Sequence, residues 1–430
     1  MYDLVARLHP INRSITGEGF RETQRILAEH LPGLQIEEVP TGTKAFDWTV
    51  PREWNIREAY LVDPSGKRFA DFAQSTLHLM SYSVPVRQTM ELSELKEHLH
   101  TLPEEPDLIP YRTSYYNENW GFCLSHREYE QLEEGRYEVV IDSELSDGSM
   151  SYGEYFLPGE SKEEILITSH ACHPSMCNDN LSGNVVATFL AKVLAETTRR
   201  WSYRFLFLPG GIGSVVWMSR NVEQLHRIRN GLVLANLGDS AGFTFKKSRR
   251  ADAEIDRAAA HVLGNRIESY TELDFSPYGY DERNFCSPRF NLPVASLNRS
   301  THEGFRGYHS SGDDLTLISA GQLEEALAVC LEFMGILEAN RRYENLIPEA
   351  EPQLGKRGLY GSMGGLQRRA DLEMALLWVM NFSDGDHSLL DIADRSGYDF
   401  GLIVQAAGLL REHGLLRPIA DSSGRPSPAG

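Results

Sequence analysis

Positive charge is scarce in this sequence: 42 Lys and Arg stand against 61 Asp and Glu over 430 residues, a formal net charge of -19. Nucleic acid or an anionic membrane as dominant partner needs a basic face, so neither is expected. Long apolar runs are missing too; none approaches the roughly 18 residues of a spanning helix. The start, Met1-Tyr2-Asp3-Leu4, lacks the basic and then apolar pattern of a secretory leader, and a cytoplasmic protein is expected. Cysteine is sparse and odd in number (Cys123, Cys172, Cys177, Cys286, Cys330), which reads as free thiols rather than a disulfide framework. No internal repeat of 20–50 residues is visible. What remains, 41% hydrophobic and 24% charged, is an ordinary globular composition with length for two or three domains. A homo-oligomer stays open.

The chain changes character along its length. Residues 1–37 read as helical, interrupted at Arg13-Ser14-Ile15-Thr16-Gly17-Glu18-Gly19, with a helix from about Phe20 to His30. Residues 38–125 read as a small β-rich module of short alternating runs and Pro/Gly turns, with one helix-like piece over Glu91–Leu102. Residues 126–345 alternate strand and helix. Strands are expected at Tyr137–Ile141, Ile165–Thr168, Tyr203–Leu208, Leu232–Asn236, Ile267–Thr271 and Val294–Asn298, and helices at Leu181–Thr197, Ile212–Arg229, Ala251–Leu263 and Ser319–Arg341. Residues 346–430 read as a winged helix, with helices at Glu373–Met380, Ser388–Ala393 and Phe400–Glu412 and a Ser/Pro/Gly-rich tail from Asp421 expected to lack structure. From residue 355 onward 8 basic residues face 9 acidic ones, which favours packing or partner contact over DNA reading.

Chemistry concentrates in Ile165–Asn184, reading I-L-I-T-S-H-A-C-H-P-S-M-C-N-D-N-L-S-G-N. An apolar run ends at His170, His173 follows, then Asp179, and a periodic helix begins. Ligands of open α/β sheets bind at such strand ends. Two imidazoles and a carboxylate on one loop suit zinc; the bland alternative is a loop of ordinary hydrogen bonds. Asp239, in Leu237-Gly238-Asp239-Ser240, and His309, in Tyr308-His309-Ser310-Ser311-Gly312-Asp313, follow later and could converge with them. Cys172 and Cys177 read as bystander thiols rather than soft ligands. The run Lys246-Lys247-Ser248-Arg249-Arg250 reads as a solvated approach to a helix rather than an anion receptor, and Trp48 and Trp54 as core rather than stacking residues. Asp47 and Glu53 would line the pocket only if the β-rich module closes over it.

These motifs, in this order, resemble the zinc aminopeptidase (M28-like) clan. Closer still, the chain resembles the bacterial aminopeptidase-like domain proteins, the DUF4910/DUF2172 group often encoded near polysaccharide or natural-product biosynthesis genes. Arg13–Gly19 matches that group's R-S-x-T-G-x-G start, Phe46–Trp54 its F-D-W-x-x-P-x-E-W motif and Asp281–Pro288 its D-E-R-x-x-C-S-P stretch. The resemblance spans essentially the whole chain. It implies an α/β fold, a zinc-peptidase-like α/β/α sandwich with an inserted β-rich module and a C-terminal winged-helix domain. It also implies one zinc ion, with His170, Asp179 and His309 as ligands and Asp239 at the remaining acidic position. His173 becomes a ligand or a substrate contact. The implied activity is hydrolysis of a small peptide or amino-acyl metabolite.

One departure stands out. Where the clan carries Pro-Glu, this chain has Pro209-Gly210-Gly211, so the glutamate that takes the water's proton is missing. A base supplied from elsewhere (Asp281, Glu282, Glu303 or Asp313), acyl transfer or cyclisation using the ion as a Lewis acid, and ligand binding without turnover all follow as alternatives. Arg283 is a candidate clamp for a substrate carboxylate and Tyr308 a candidate oxyanion donor.

Overall fold

The computed structural model describes residues 1–302, 304–359 and 366–419. The tail from Asp421, read above as unstructured, and Glu303, weighed as a base, lie outside the described residues. The chain divides into two compact units, Met1–Leu331 and Glu332–Gly430.

The first unit is organised by an eight-stranded sheet. Its order is Gln35–Pro40, Ser149–Leu157, Ser202–Leu208, Glu164–His170, Ile228–Leu234, Val294–Asn298, Thr244–Lys246, Thr271–Leu273. The four middle strands run parallel. Every residue of Glu164–His170 is buried, as expected of a parallel strand covered on both faces. That strand leads through the helix Gly183–Ala195 to Ser202–Leu208 on one side. The next helix, Ile212–Arg220, leads to Ile228–Leu234 on its other side. The direction of winding therefore reverses around Glu164–His170, and the crevice beyond its carboxyl end is where such sheets bind ligands.

Between Pro40 and Ser149 the chain leaves this sheet and returns, for Gln35 pairs with Glu154 and Pro40 with Ser149. In between it builds an antiparallel sheet in the order Arg68–Phe69, Glu53–Val62, Arg136–Ser146, Val86–Glu91. The strand expected at Tyr137–Ile141 thus exists but pairs here rather than in the main sheet. Alternating burial marks a strand without saying which sheet it joins. Three other expectations are adjusted. The helix from Ile212 stops at Arg220, because the chain turns at Leu225–Arg227 into the strand that begins at Ile228. The strand placed at Ile267–Thr271 is Thr271–Leu273, since the preceding helix runs on to Arg266. Glu91–Leu102 holds only a single helical turn, Leu92–Leu95, before a 3-10 turn and a short strand.

Trp54 is buried and its Nε1 donates to the Ser83 carbonyl at 3.0 Å, whereas Trp48 is exposed. Lys246 and Lys247 are paired with Glu282 and Glu272, so the basic run holds structure rather than an anion.

The second unit carries helices Leu366–Phe382, Leu389–Ser396 and Phe400–Glu412 beside an antiparallel sheet ordered Asp384–Ser388, Arg342–Asn345, Leu416–Pro418. Ser388 caps its helix through the Asp391 amide, and Gly397 ends it in the left-handed conformation. This is the winged helix read from the sequence. Among the described residues no helix is long and apolar enough to cross a membrane.

The glycines of the Arg13–Gly19 motif explain themselves by close approach. A Cβ on Gly19 would sit 1.8 Å from the Asn12 carbonyl oxygen, and one on Gly17, at φ +94°, 2.3 Å from that of Trp54. Between them Thr16 Oγ1 accepts the Trp54 amide at 3.0 Å and lies 2.6 Å from the Tyr82 hydroxyl. Gly19→Ala is therefore expected to destabilise the protein by about 1–3 kcal/mol or more. Gly264→Ala, in a helix with open space at the Cβ, should gain up to about 1 kcal/mol. Urea denaturation checks both.

Candidate metal centre and its cavity

The loop after His170 is pinned from several sides. Arg13 Nε donates to the His173 carbonyl at 3.0 Å and its Nη1 to that of Leu8 at 2.6 Å, with the guanidinium wholly buried. Burial pushes Arg13 down to about 10. Asp313 receives the Cys177 and Asn178 amides on Oδ1 (3.1 and 2.6 Å) and the Asp179 amide on Oδ2 (2.8 Å). Asn180 Oδ1 accepts the amides of Gly183 and Asn236, tying the loop to the helix that follows and to the neighbouring strand end. That first helical amide is consequently capped and does not face the cavity.

The result is a fully buried carboxylate among three imidazoles. His170 Nε2 lies 2.8 Å from Asp179 Oδ1, His309 Nε2 3.0 Å from Oδ2, and His173 Nδ1 3.6 Å from Oδ1. Ligand atoms of His170, His173 and Asp179 all lie within 4.8 Å of one another. His309 adopts a left-handed backbone, φ 52°, at this position, and Ser175 and Asn236 nearby do the same (45° and 49°). Such non-glycine residues cost about 1–3 kcal/mol each and gather at functional sites.

Electrostatics follow from the burial. Burial opposes a charge on Asp179, yet the hydrogen bonds from His170 and His309 hold its carboxyl well below the ordinary range. Burial likewise opposes protonation of His170, but Asp179, with Asp281 and Glu282 further off, raises it overall. His173, by contrast, is pushed by burial down to about 3 and stays neutral. Its Nδ1 is buried with no hydrogen-bond partner among the described residues. A neutral imidazole with an unused ring nitrogen beside an ionised carboxylate is the donor set a divalent zinc ion takes. The residues present therefore fit the ion that the sequence suggested.

The cavity around this cluster measures about 270 Å³. Gly210 and Gly211 form one wall, Tyr278 to Asp281 with Arg283 another, and His302, Tyr308 and Tyr115 complete it. Tyr280 stacks on His170 with ring centres 5.5 Å apart, and its hydroxyl accepts from Asn236 Nδ2 at 2.8 Å. Burial raises that phenol well above its usual range, so it remains a proton donor. Tyr308 stacks on His309 at 4.0 Å.

The segment Ile109–Tyr115 folds over the cluster. The Tyr111 amide donates to the His309 carbonyl at 2.7 Å, and the ring stands edge-on to both His173 and His309. Tyr111 and Tyr115 hydroxyls are 3.0 Å apart. The closure left conditional above is thus real, but through Tyr111 and Tyr115. Asp47 is exposed, and Glu53 is held by Arg21 at 2.5 Å.

Asp281 occupies a telling position. It is buried and lines the cavity, and its Oδ1 accepts the Gly211 amide at 2.9 Å and the Ser214 hydroxyl at 2.7 Å. Its Oδ2 is buried and has no hydrogen-bond partner among the described residues.

Other expected site residues sit elsewhere. Neither Asp239 nor His309 is in the His170–His173–Asp179 group, but His309 touches Asp179 directly whereas Asp239 does not. Asp239 Oδ2 accepts from Asn178 Nδ2 at 2.6 Å and its Oδ1 the Ala241 amide at 2.7 Å, so it braces the loop instead. Glu282 points away from the cavity lining into a buried ion pair with Lys246 at 2.6 Å. Asp313 cannot reach a water while three amides hold it. Cys172 borders the cavity as a thiol that burial raises to about 12, accepting the Gly210 amide at 3.2 Å, and Cys177 is raised similarly. Reading the sequence missed Tyr111, Tyr115, His302 and the brace from Arg13. Tyr280 was findable, for it directly precedes Asp281-Glu282-Arg283.

Comparison with known proteins assigns the fold to a class. A zinc aminopeptidase from Bacillus subtilis superposes over 78% of this chain and 93% of its own with a TM-score of 0.58 at 12% identity. A peptidase M28 precursor from Shewanella amazonensis SB2B does so over 78% and 92% at 0.56 and 13%. The fold is that of the M28 zinc aminopeptidases, extended by a C-terminal winged helix.

Within that class the assignment is direct. The family described as a domain of unknown function, DUF4910, matches residues 2–340, and a winged helix-turn-helix family matches 341–418. The chain belongs to the DUF4910 family. A Clostridium acetobutylicum protein, provisionally named a polysaccharide biosynthesis protein with an aminopeptidase-like domain, is 51% identical over 417 residues, 97% of this chain and 96% of that one. A crystal structure from the same organism, provisionally called a peptidase, matches with a TM-score of 0.92 at 50% identity, covering 97% and 96% of the two chains.

Because Asp313 holds three amides at once, Asp313→Asn turns an NH₂ group toward donors that need an acceptor. A loss of about 2–3 kcal/mol is expected, measured by urea denaturation. Unchanged stability would contradict the bracing role.

Proposed function

We propose that this chain is a zinc-dependent amide hydrolase in which Asp281 replaces the missing glutamate as general base. The observation that carries the reading is the Asp281 carboxylate. Asp281 lines the cavity; its one oxygen is tied to the Gly211 amide, and its other is buried with no hydrogen-bond partner among the described residues. One zinc ion held by His170, His173, Asp179 and His309 would polarise an amide carbonyl and ease deprotonation of a water.

The protein groups then divide the work. Asp281 Oδ2 accepts a proton from water as its oxygen bonds to the carbonyl carbon. The Tyr280 hydroxyl, which accepts from Asn236 and keeps its own proton, donates to the developing oxyanion. Tyr308 packs against His309 and fixes that ring. The proton on Asp281 passes to nitrogen as the C–N bond breaks, giving a carboxylate and an amine. Tyr111 and Tyr115 roof the cluster and limit solvent access. The substrate is a small peptide or amino-acyl compound, and the name of the Clostridium relative supports a biosynthetic setting. For the C-terminal unit, its charge balance supports partner contact over DNA binding; retention on random-sequence duplex at low salt would contradict this.

Asp281→Asn should lower kcat on a responsive amide by roughly 10²–10⁴-fold while zinc content stays at one per chain. A Cβ on Gly210 would meet only ordinary contacts, Cys172 Sγ at 3.5 Å and His170 Cβ at 3.6 Å. Gly210→Glu should therefore recover at least about tenfold in the Asp281→Asn background. Gly211→Glu should not, since φ there is +72°. A wild-type protein that binds zinc but cleaves no amide, with Gly210→Glu equally inert, would refute the hydrolase.

A further inference from the structure

We infer, resting on the hydrolase reading, that the cavity selects amides whose amino side carries a free carboxylate and whose α-nitrogen is acylated. It is then an N-acyl amino acid site rather than one for a free amino terminus. A substrate with a free α-ammonium needs a carboxylate to receive it. Among the described residues the cavity wall offers two, Asp179 and Asp281. Asp179 is enclosed by three imidazoles. Asp281 spends one oxygen on the Gly211 amide and Ser214, and its other is the base. Neither is left for an ammonium, and a bound divalent ion would repel one further.

The cationic side is the reverse. Arg283 is the one Lys or Arg among the described residues lining the cavity. It is exposed and has no ion-pair or hydrogen-bond partner among the described residues, although the chain has 61 acidic side chains to offer. A planar guanidinium in that state meets a carboxylate through two parallel hydrogen bonds. Arg283 also lies two residues after Asp281, on the short helix Glu282–Phe285 that Asp281 precedes. Base and cation come from one turn of chain, which suits a substrate whose carboxylate is close to the bond being cut. At about 270 Å³ the cavity is below the roughly 300–1,000 Å³ of sites for drug-sized ligands, in keeping with a single acylated residue.

The test measures binding and cleavage separately on the zinc-loaded full chain. N-acetyl-L-leucine, N-acetyl-L-leucinamide and L-leucinamide are compared by calorimetry and by product analysis. The expected result is that N-acetyl-L-leucine binds roughly 10- to 100-fold more tightly than either amide. Arg283→Met should abolish that discrimination and Arg283→Lys retain part of it. Arg283 is exposed, so these variants should fold, which their melting curves verify. Discrimination without cleavage would remove the hydrolase and leave this inference standing. Cleavage with acid and carboxamide taken alike, a preference for L-leucinamide, discrimination that survives Arg283→Met, or no binding of any of the three would overturn it.

Discussion

A single buried carboxylate governs this structure. Asp179 has no solvent contact, and its charge is tolerated because imidazoles lie against both of its oxygens. Removing an ion from water costs several kcal/mol unless its surroundings replace the lost solvation. Much of the surrounding architecture supplies that replacement and fixes its geometry. The parallel strand ending at His170 delivers one ring, the strained backbone at 309 delivers another, and the loop between delivers the third. Asp313 holds the loop by its amides and Asp239 holds it through Asn178. Two acids outside the cluster thus act as braces for the one inside it.

The second theme is substitution in space. Glycines at 210 and 211 remove a side chain from the strand end after Ser202–Leu208, and the freed Gly211 amide becomes a hydrogen-bond donor to Asp281. The carboxylate that receives this amide comes from a distant part of the chain. Cover comes from a distance as well: Tyr111 belongs to the segment between Pro40 and Ser149, yet its backbone pairs with His309 and its ring abuts two of the three histidines. The segment is therefore part of the site rather than an appendage to it.

What could be read in advance follows the range of the interactions involved. The strand–loop–helix around His170 was legible because an apolar run, a polar loop and a periodic helix are local signals, and the three short C-terminal helices were legible for the same reason. Which sheet receives the strand Arg136–Ser146 was not, since alternation looks the same in both. Asp239 was expected at the ion because acids at strand ends tend to converge; its diversion depends on Asn178, 61 residues away in sequence. Arg13, buried and bonded to the carbonyl of a residue 160 positions on, left only a motif whose purpose the sequence did not state. Asp281 was named as one of four candidate bases, but its bond to Gly211, across 70 positions, was not legible.

The account stands on the cluster being a metal centre of nitrogen and oxygen donors. X-ray absorption at the zinc edge on the zinc-loaded chain tests that most directly. One ion per chain with N/O scatterers at about 2.0–2.1 Å and no sulfur is the predicted spectrum. A zinc–sulfur distance near about 2.3 Å, which would bring in Cys172 or Cys177, or no bound zinc at all, would contradict it.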